Sequence, residues 1–235
     1  MPQRVFITGA SRGLGLELTR QYLARGAQVF AACRCPEKAD NLRALTTAAS
    51  GQLIVLRLDV TNENTIDMIG RTVGAQADGL EVLINNAALG PTGPAEALTT
   101  VSSAALIEMF RVNAFGPLLV ARRLADLLQA GRQPRLVNIS SDAGSLAGKQ
   151  GGGWYGYGGS KAALNLFTRA LAADLRDAGI IVIAMHPGWV RTDMGGSQAP
   201  LLPTDAVRQI LAVVDRLTLA DTSKFYSYEG REYAW

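Results

Sequence analysis

Short apolar runs alternate with amphipathic stretches along most of the 235-residue chain. In the amphipathic stretches apolar residues recur three and four positions apart, which is the period of a helix packed on one side. Strands that alternate with helices predict an α/β fold, a doubly wound parallel sheet with helices on both faces. The strands are predicted at residues 5–7, 27–33, 53–58, 81–84, 135–139 and 180–184.

Polar residues follow several of these strands at the point where each strand ends. Asp59, Asn86, Ser141 and His186 all occupy such positions. The carboxyl ends of parallel strands meet at one edge of the sheet, where ligands of this fold class bind. We therefore predict a single domain over residues 1–235, in which residues 1–90 mainly bind a cofactor and residues 100–235 carry the catalytic and substrate groups.

A glycine-rich turn joins the first strand to the first helix. Gly9, Gly13 and Gly15 follow the spacing G-x-x-x-G-x-G, which differs from the commoner G-x-G-x-x-G. Glycines let the backbone approach a pyrophosphate, and a helix N-terminus offers unpaired N–H groups and partial positive charge. The turn therefore predicts a dinucleotide phosphate site.

Arg34 ends the second strand, about twenty residues beyond the glycine turn, where an acidic residue would hold a ribose hydroxyl. A guanidinium suits a 2′-phosphate instead, and Arg12 in the turn can add a second positive charge. We predict that NADP(H) is preferred and that NAD(H) is possible, because Glu37 lies within reach of a ribose hydroxyl. The alternative is that Arg34 is only a solvated residue after a strand.

Tyr157 and Lys161 stand four residues apart at the start of a helical pattern, and so share one helix face. A cation beside a phenol lowers the phenol's pKa, which predicts a proton donor that also acts as a base near neutral pH. The alternative is a chance pair, with the tyrosine in the core and the lysine in solvent.

Composition excludes several function classes. Net charge is +3, and the basic residues are scattered without interleaved aromatics, so nucleic-acid binding is not indicated. The two cysteines, Cys33 and Cys35, are too few for a disulfide framework or a zinc site, and a reduced thiol pair beside the adenosine site is expected. We find no signal peptide and no apolar run of about 20 residues, and expect a cytoplasmic protein without a membrane span.

Taken in order, these motifs resemble the short-chain dehydrogenase/reductase family, a Rossmann-type fold. The shared set also contains Asn113 and a Pro187-Gly188-x-Val190-x-Thr192 segment. The sequences around Trp154 and His186 are similar to those of the C-factor and sniffer-like carbonyl reductases. Ala88, where the family usually has glycine, is a departure that should alter only packing.

The resemblance implies a role for each residue. Tyr157 would exchange a proton with the carbonyl or alcohol oxygen, Lys161 would lower the phenol's pKa and bind the nicotinamide ribose, and Ser141 would bind the developing alkoxide. Asn113 would hold a water that connects Lys161 to solvent. Asp59 and Val60 would contact adenine, Asn86 and Ala87 the nearby ribose, and Val190 and Thr192 the carboxamide; Ser11, Leu14, Pro187 and Gly188 are the other expected cofactor contacts.

Some assignments stay open. Extra glycines before Tyr157 leave Ser140 as an alternative to Ser141, and His186, the only histidine, is expected to be structural. Residues 188–203 lie where relatives carry a lid. Residues 115–128 are apolar on more than one face, which favours a homodimer or homotetramer.

We therefore expect an NADPH-dependent oxidoreductase that acts on a small carbonyl or alcohol substrate. One alternative is a cofactor-binding signalling protein with little turnover. The other is an NAD(P)-dependent epimerase or dehydratase, which usually has a larger C-terminal substrate domain than the fewer than fifty residues that follow Thr192.

Overall fold

The computed structural model describes residues 2–48, 51–91 and 93–235. Its centre is one seven-stranded sheet in the order β3-β2-β1-β4-β5-β6-β7, in which every neighbouring pair is parallel. This confirms the predicted doubly wound architecture. The strands are β1 (Arg4–Thr8), β2 (Gln28–Cys33), β3 (Leu53–Arg57), β4 (Val82–Asn85), β5 (Arg135–Ile139), β6 (Ile181–His186) and β7 (Lys224–Ser227).

Helices cover both faces of the sheet, and most of them connect one strand to the next. The order of the strands reverses beside β1, where β2 lies on one side and β4 on the other, and ligands of open α/β sheets bind at such a point. The helices are α1 (Gly13–Ala24), α2 (Asp40–Ala48), α3 (Glu63–Gly74), α4 (Ser103–Phe110), α5 (Gly116–Gln129), α6 (Tyr155–Asp174) and α7 (Pro203–Arg216).

Alternate side chains of each strand enter two separate hydrophobic cores. Val5 and Ile7 of β1 pack in the core that also holds Val207 of α7, whereas Phe6 between them packs in the core that holds Leu124 of α5. Successive side chains of a strand point to opposite faces, so a strand buried on both faces is apolar throughout. Full burial of each such side chain contributes roughly 1.5–3 kcal/mol.

The seventh strand, β7, was not predicted. It has only four residues, of which Phe225, Tyr226 and Ser227 are buried, and it pairs with β6 at the edge of the sheet. A four-residue run after the last motif has too few positions to show a period.

Helices α4 and α5 are continuous through a π-helical turn at Arg111–Phe115. Among the described residues, Ser103–Gln129 is long and apolar enough to cross a membrane by length and composition alone. The expectation of no membrane span stays a prediction. Val120 and Leu124 of this helix are fully buried in the core between sheet and helices. One such helix is weak evidence for a membrane span, since a core helix passes the same test.

Candidate active site

The glycine turn brings the backbone of β1 and α1 close together. Gly9 and Gly13 have φ values of +67° and +53°, which L side chains rarely adopt. A Cβ atom on Gly15 would lie 2.2 Å from the Gly9 carbonyl oxygen. No side chain caps the start of α1, so its first N–H groups are available to a phosphate. The turn therefore fits the pyrophosphate of a dinucleotide.

A cavity of about 900 Å³ opens above this turn, at the carboxyl ends of the strands. Among the predicted site residues, only Gly15 and Asn113 do not line the cavity. Gly15 follows the turn inside α1, and Asn113 is fully buried. The predicted residues that line the cavity are Gly9, Ser11, Arg12, Gly13, Leu14, Arg34, Asp59, Val60, Asn86, Ala87, Ser141, Tyr157, Lys161, Pro187, Gly188, Val190 and Thr192.

Thr8, buried at the end of β1, joins the first strand to the segment after the fourth, next to Asn86 and Ala87, which line the cavity. Its hydroxyl oxygen accepts hydrogen bonds from the amides of Asn86 and Ala87, at 2.9 and 3.0 Å. Asn86 Nδ2 in turn donates to the carbonyl oxygens of Thr8 and Gly9. Thr8 was not among the predicted site residues, although a hydroxyl at the end of a buried strand is a signal that could have been used.

At the predicted adenosine end of the cavity, Asp59 is fixed by its own turn. Its Oδ1 accepts from the Thr61 amide at 2.9 Å and from the Thr61 hydroxyl at 2.7 Å. Burial would raise the pKa of Asp59, but these hydrogen bonds and the positive charge of Arg34 outweigh it and lower that pKa. Asp59 is therefore a carboxylate at neutral pH.

Arg34 extends into this end of the cavity and is exposed. Glu37, the residue that could favour NAD(H), forms an ion pair with Arg57 at 2.9 Å and does not line the cavity. Cys33 is buried and lines the cavity next to Arg34, whereas Cys35 is exposed and lies outside the lining; both thiols are free. The predicted position beside the adenosine end thus fits Cys33 and not Cys35.

Helix α6 carries Tyr157 and Lys161 on one face, as predicted. Trp154 caps the helix in a left-handed conformation, with φ of +61°, and packs edge-on against the Tyr157 ring with centroids 5.9 Å apart. Lys161 Nζ lies 5.8 Å from the centre of that ring and donates to the Ile139 carbonyl oxygen at 2.8 Å. Burial lowers the pKa of Lys161 to about 7.

The expectation that the pKa of Tyr157 is lowered was wrong. Burial raises the pKa of Tyr157, with smaller contributions in the same direction from the Asp142 and Glu96 carboxylates, while hydrogen bonding to Ser141 acts against them. The buried Lys161 ammonium is directed at the Ile139 carbonyl and is itself destabilised by burial. The phenol is therefore protonated at neutral pH.

The structure distinguishes the two adjacent serines. Ser140 is 1% exposed, and its hydroxyl donates to Asn165 Oδ1 at 2.6 Å. The Ser141 hydroxyl faces Tyr157 and also donates to Asp142 Oδ1 at 2.9 Å. The geometry thus favours Ser141 as the partner of Tyr157.

Asn113 is completely buried in the π-helical turn. Its Oδ1 accepts from the Leu89 amide at 2.8 Å, and its Nδ2 donates to the Leu89 carbonyl and to Ser160 Oγ, both at 3.0 Å. The side chain therefore joins three segments of the protein. The predicted role in holding a water stays a prediction.

His186 lines the cavity, but its Nδ1 accepts a hydrogen bond from the Asp142 amide at 3.1 Å. Tyr233 packs edge-on against the ring, with centroids 5.5 Å apart. Burial lowers the pKa of His186, against the opposing effect of the Asp142 charge, so the imidazole is neutral. These contacts fit the expected structural role.

The segment after β6 lies over the mouth of the cavity. Trp189 and Met194 line the cavity and are 58% and 49% exposed. Asp193 pairs with Arg12 of the glycine turn at 3.0 Å, so this structure directs the Arg12 guanidinium toward the segment. Neither Trp189 nor Met194 was among the predicted site residues, and lid movement stays a prediction.

Comparison with known proteins decides the family. The model of the short chain dehydrogenase family matches residues 3–200. The chain belongs to this family. Over 156 residues it is 42% identical to the C-signal protein of Myxococcus xanthus, covering 66% of this chain and 93% of that protein.

Two solved structures of carbonyl reductases superpose on this protein over the whole chain. The carbonyl reductase Sniffer of D. melanogaster superposes with a TM-score of 0.94 at 33% identity, covering 100% of both chains. The NADPH-bound carbonyl reductase from chicken fatty liver superposes with a TM-score of 0.93 at 32% identity, covering 100% of this chain and 99% of that one. The chain is thus an NAD(P)-dependent oxidoreductase with the predicted Rossmann-type fold.

Proposed function

We propose that the protein is an NADPH-dependent carbonyl reductase in which Tyr157 is the general acid. The observation that carries this proposal is the placement of Tyr157, Ser141 and Lys161 around one point of a cavity that also contains the glycine turn. A relative with NADPH bound has the same overall structure, which supports the choice of cofactor.

The cofactor residues fit the proposed group. The start of α1 offers free amides to the pyrophosphate, Asp59 and Val60 line the adenosine end, and Arg34 offers a guanidinium to the 2′-phosphate. NADPH, when bound, supplies the hydride that reduces the carbonyl carbon. Pro187, Gly188, Val190 and Thr192 would hold the nicotinamide end; the Arg12–Asp193 ion pair must open if Arg12 is also to bind phosphate.

The side chains at the other end supply the proton. Tyr157, protonated because burial raises its pKa, would donate its phenolic proton to the carbonyl oxygen. Ser141 would hydrogen-bond the oxygen as negative charge develops on it. Lys161 Nζ lies 5.8 Å from the centre of the Tyr157 ring, and we propose that it stabilises the phenolate left after transfer.

A panel of neutral ketones and aldehydes tests the proposal. We expect NADPH consumption matched by alcohol formation, measured by absorbance at the nicotinamide band and by chromatography of the product. The similarity to C-signal favours a second candidate, a cofactor-binding signalling protein with little turnover. Tight NADPH binding without reduction of any carbonyl would support that candidate and contradict ours.

We further propose that two copies associate through α5 and α6. Phe115, in the π-helical turn just before α5, is 43% exposed, and Leu166 of α6 is 65% exposed; Ile107 of α4 is 57% exposed. Large apolar side chains on adjacent helices are typical of an interface between copies. Light scattering at micromolar concentration should give a dimer or tetramer; a monomer mass would exclude this arrangement.

We also propose a cytoplasmic location, because the exposed Cys35 and its neighbour Cys33 are both free thiols. Recovery of the native protein in a secreted or periplasmic fraction would contradict it.

A further inference from the structure

Asp142 lies in the wall between the catalytic cavity and a second cavity of about 570 Å³. The second cavity is formed largely by the glycine-rich segment at residues 148–152, and Trp154 borders both. A substrate bound at Tyr157 that extends beyond the reacting carbonyl would therefore pass close to Asp142.

The Asp142 carboxylate is close to the reacting groups and open to solvent. Its Oδ1 accepts from the Ser141 hydroxyl and from the Ala143 amide, each at 2.9 Å. Its side chain is 60% exposed. Its charge also reaches the phenol, since it contributes to the raised pKa of Tyr157.

The Asp142 carboxylate has no lysine or arginine partner among the residues that the structure describes. Its nearest basic group is His186 Nδ1 at 3.6 Å. That nitrogen accepts a hydrogen bond from the Asp142 amide, so it carries no proton. The negative charge at the substrate end is therefore uncompensated.

The other cationic side chains that line the two cavities bond to, or lie near, groups other than Asp142. Lys161, beside Tyr157, donates to the Ile139 carbonyl at 2.8 Å and forms no ion pair with Asp142 among the described residues. Arg12 pairs with Asp193, Arg111 donates to the Thr61 carbonyl, and Arg34 lies near Asp59. In the second cavity, the Lys149 ammonium donates to the Gly153 carbonyl at 2.9 Å. Bound NADPH would add phosphate charges, which are also negative.

We propose that Asp142 is a specificity-determining residue, which makes the enzyme select neutral or cationic carbonyl substrates over those that carry a carboxylate. The proposal rests on the proposed carbonyl reductase activity. A unit charge several ångströms from a half-exposed carboxylate changes binding and transition-state stability by a factor of about three to ten, with opposite signs for a cation and an anion.

Three ketones of similar size test the proposal: acetophenone, 4-acetylbenzoate and 4-acetyl-N,N,N-trimethylanilinium. For the wild type we expect kcat/KM for the cation to exceed that for the anion by about tenfold or more at low salt. The ratio should shrink as salt is added, because an exposed charge is screened.

Asp142→Asn keeps an oxygen that accepts from Ser141 and Ala143 but removes the charge, and should bring the cation-to-anion ratio to within about threefold. Asp205→Asn is the matched control, since the Asp205 side chain is 44% exposed, pairs with Arg208 and does not line the cavity. That variant should keep the wild-type ratio.

Two failures are distinguishable. If none of the three ketones, nor any of the neutral carbonyls above, is reduced, the proposed activity fails and this specificity fails with it. If acetophenone is reduced but the wild type shows no charge preference, or Asp142→Asn keeps the preference, only the role of Asp142 is overturned. Even if Asp142→Asn does not fold, a wild type that reduces acetophenone without a salt-dependent charge preference overturns the role of Asp142.

Discussion

The cofactor side and the catalytic side of the cavity are built from different parts of the chain. On the cofactor side the backbone forms the site: Gly9 and Gly13 adopt positive φ, Gly15 allows a close approach, and the amides at the start of α1 are uncapped. This structure is local, since it lies within residues 8–15.

The catalytic side is built from buried side chains that are distant in the sequence. Asn113 bonds Ser160, and Lys161 bonds the carbonyl at the end of β5. Below them, Asn138 accepts from Asn85 and donates to Thr168, each at 2.9 Å. Buried polar groups need partners, so these bonds fix α6 against β5 and the π-helical turn.

The two sides of the cavity should therefore respond differently to substitutions. Backbone sites fail when a side chain is added, because there is no space for it. Side-chain sites lose activity when a polar group is removed, and a neutral partner that then stays buried without a hydrogen bond also lowers stability. A buried charge is the exception, because its removal also removes the cost of burying it. The substitutions below test this division, from the largest expected effect to the smallest.

Ser141→Ala should lower kcat by about 10²–10³-fold with little change in NADPH affinity, because it removes one donor to the developing alkoxide. Ser140→Ala is the control, since that hydroxyl donates to Asn165. It should lower thermal stability but leave kcat within a few-fold. Steady-state kinetics and a thermal melt of both variants check this, and equal losses of kcat would contradict the assignment of Ser141.

Arg34→Ala should lower the preference for NADPH over NADH. We expect the wild type to prefer NADPH by about 10–100-fold in kcat/KM, because charge-assisted hydrogen bonds to a phosphate contribute roughly 1.5–3 kcal/mol each. The kcat/KM values with both cofactors measure the ratio. An unchanged ratio in the variant would assign the preference to another group, such as Arg12.

Gly15→Ala should weaken NADPH binding by about tenfold or more and destabilise the fold by roughly 1–3 kcal/mol, since its Cβ would meet the Gly9 carbonyl. Gly74→Ala is the matched control and should do neither, because a methyl group on this helical glycine would have nothing within 4 Å. Titration calorimetry and denaturant unfolding measure the two effects. Wild-type affinity in Gly15→Ala would show that the turn tolerates a side chain.

Lys161→Met should raise the stability of the cofactor-free protein at pH 6 by about 1–2 kcal/mol while it lowers activity, because it removes a buried charge. The pKa of Lys161 falls from 10.5 to about 7 on folding, so the wild type gains stability as pH rises from 7 toward 10.5. The advantage of the variant should therefore shrink at pH 9. Thermal melts at both pH values test this, and a constant difference would contradict the depressed pKa.

The sequence predicted the local features better than the distant ones. The glycine turn and the Tyr157–Lys161 spacing lie within single elements, so periodicity and motif spacing were sufficient. The partners of Asn113 and the choice between Ser140 and Ser141 depend on packing between elements, which no local pattern reports. The predicted pKa of Tyr157 was wrong for the same reason. Helix spacing shows that a lysine is nearby, but it does not show that the phenol is buried.

The most direct test of the central claim compares Tyr157→Phe with Tyr155→Phe. Both remove one hydroxyl from the first turn of α6, but Tyr157 lines the catalytic cavity whereas Tyr155 is 40% exposed outside it. For Tyr157→Phe we predict that kcat falls by about 10²–10⁴-fold while the Kd for NADPH stays within a few-fold. Tyr155→Phe should match the wild type in both; a Tyr157→Phe enzyme with wild-type kcat would contradict the account.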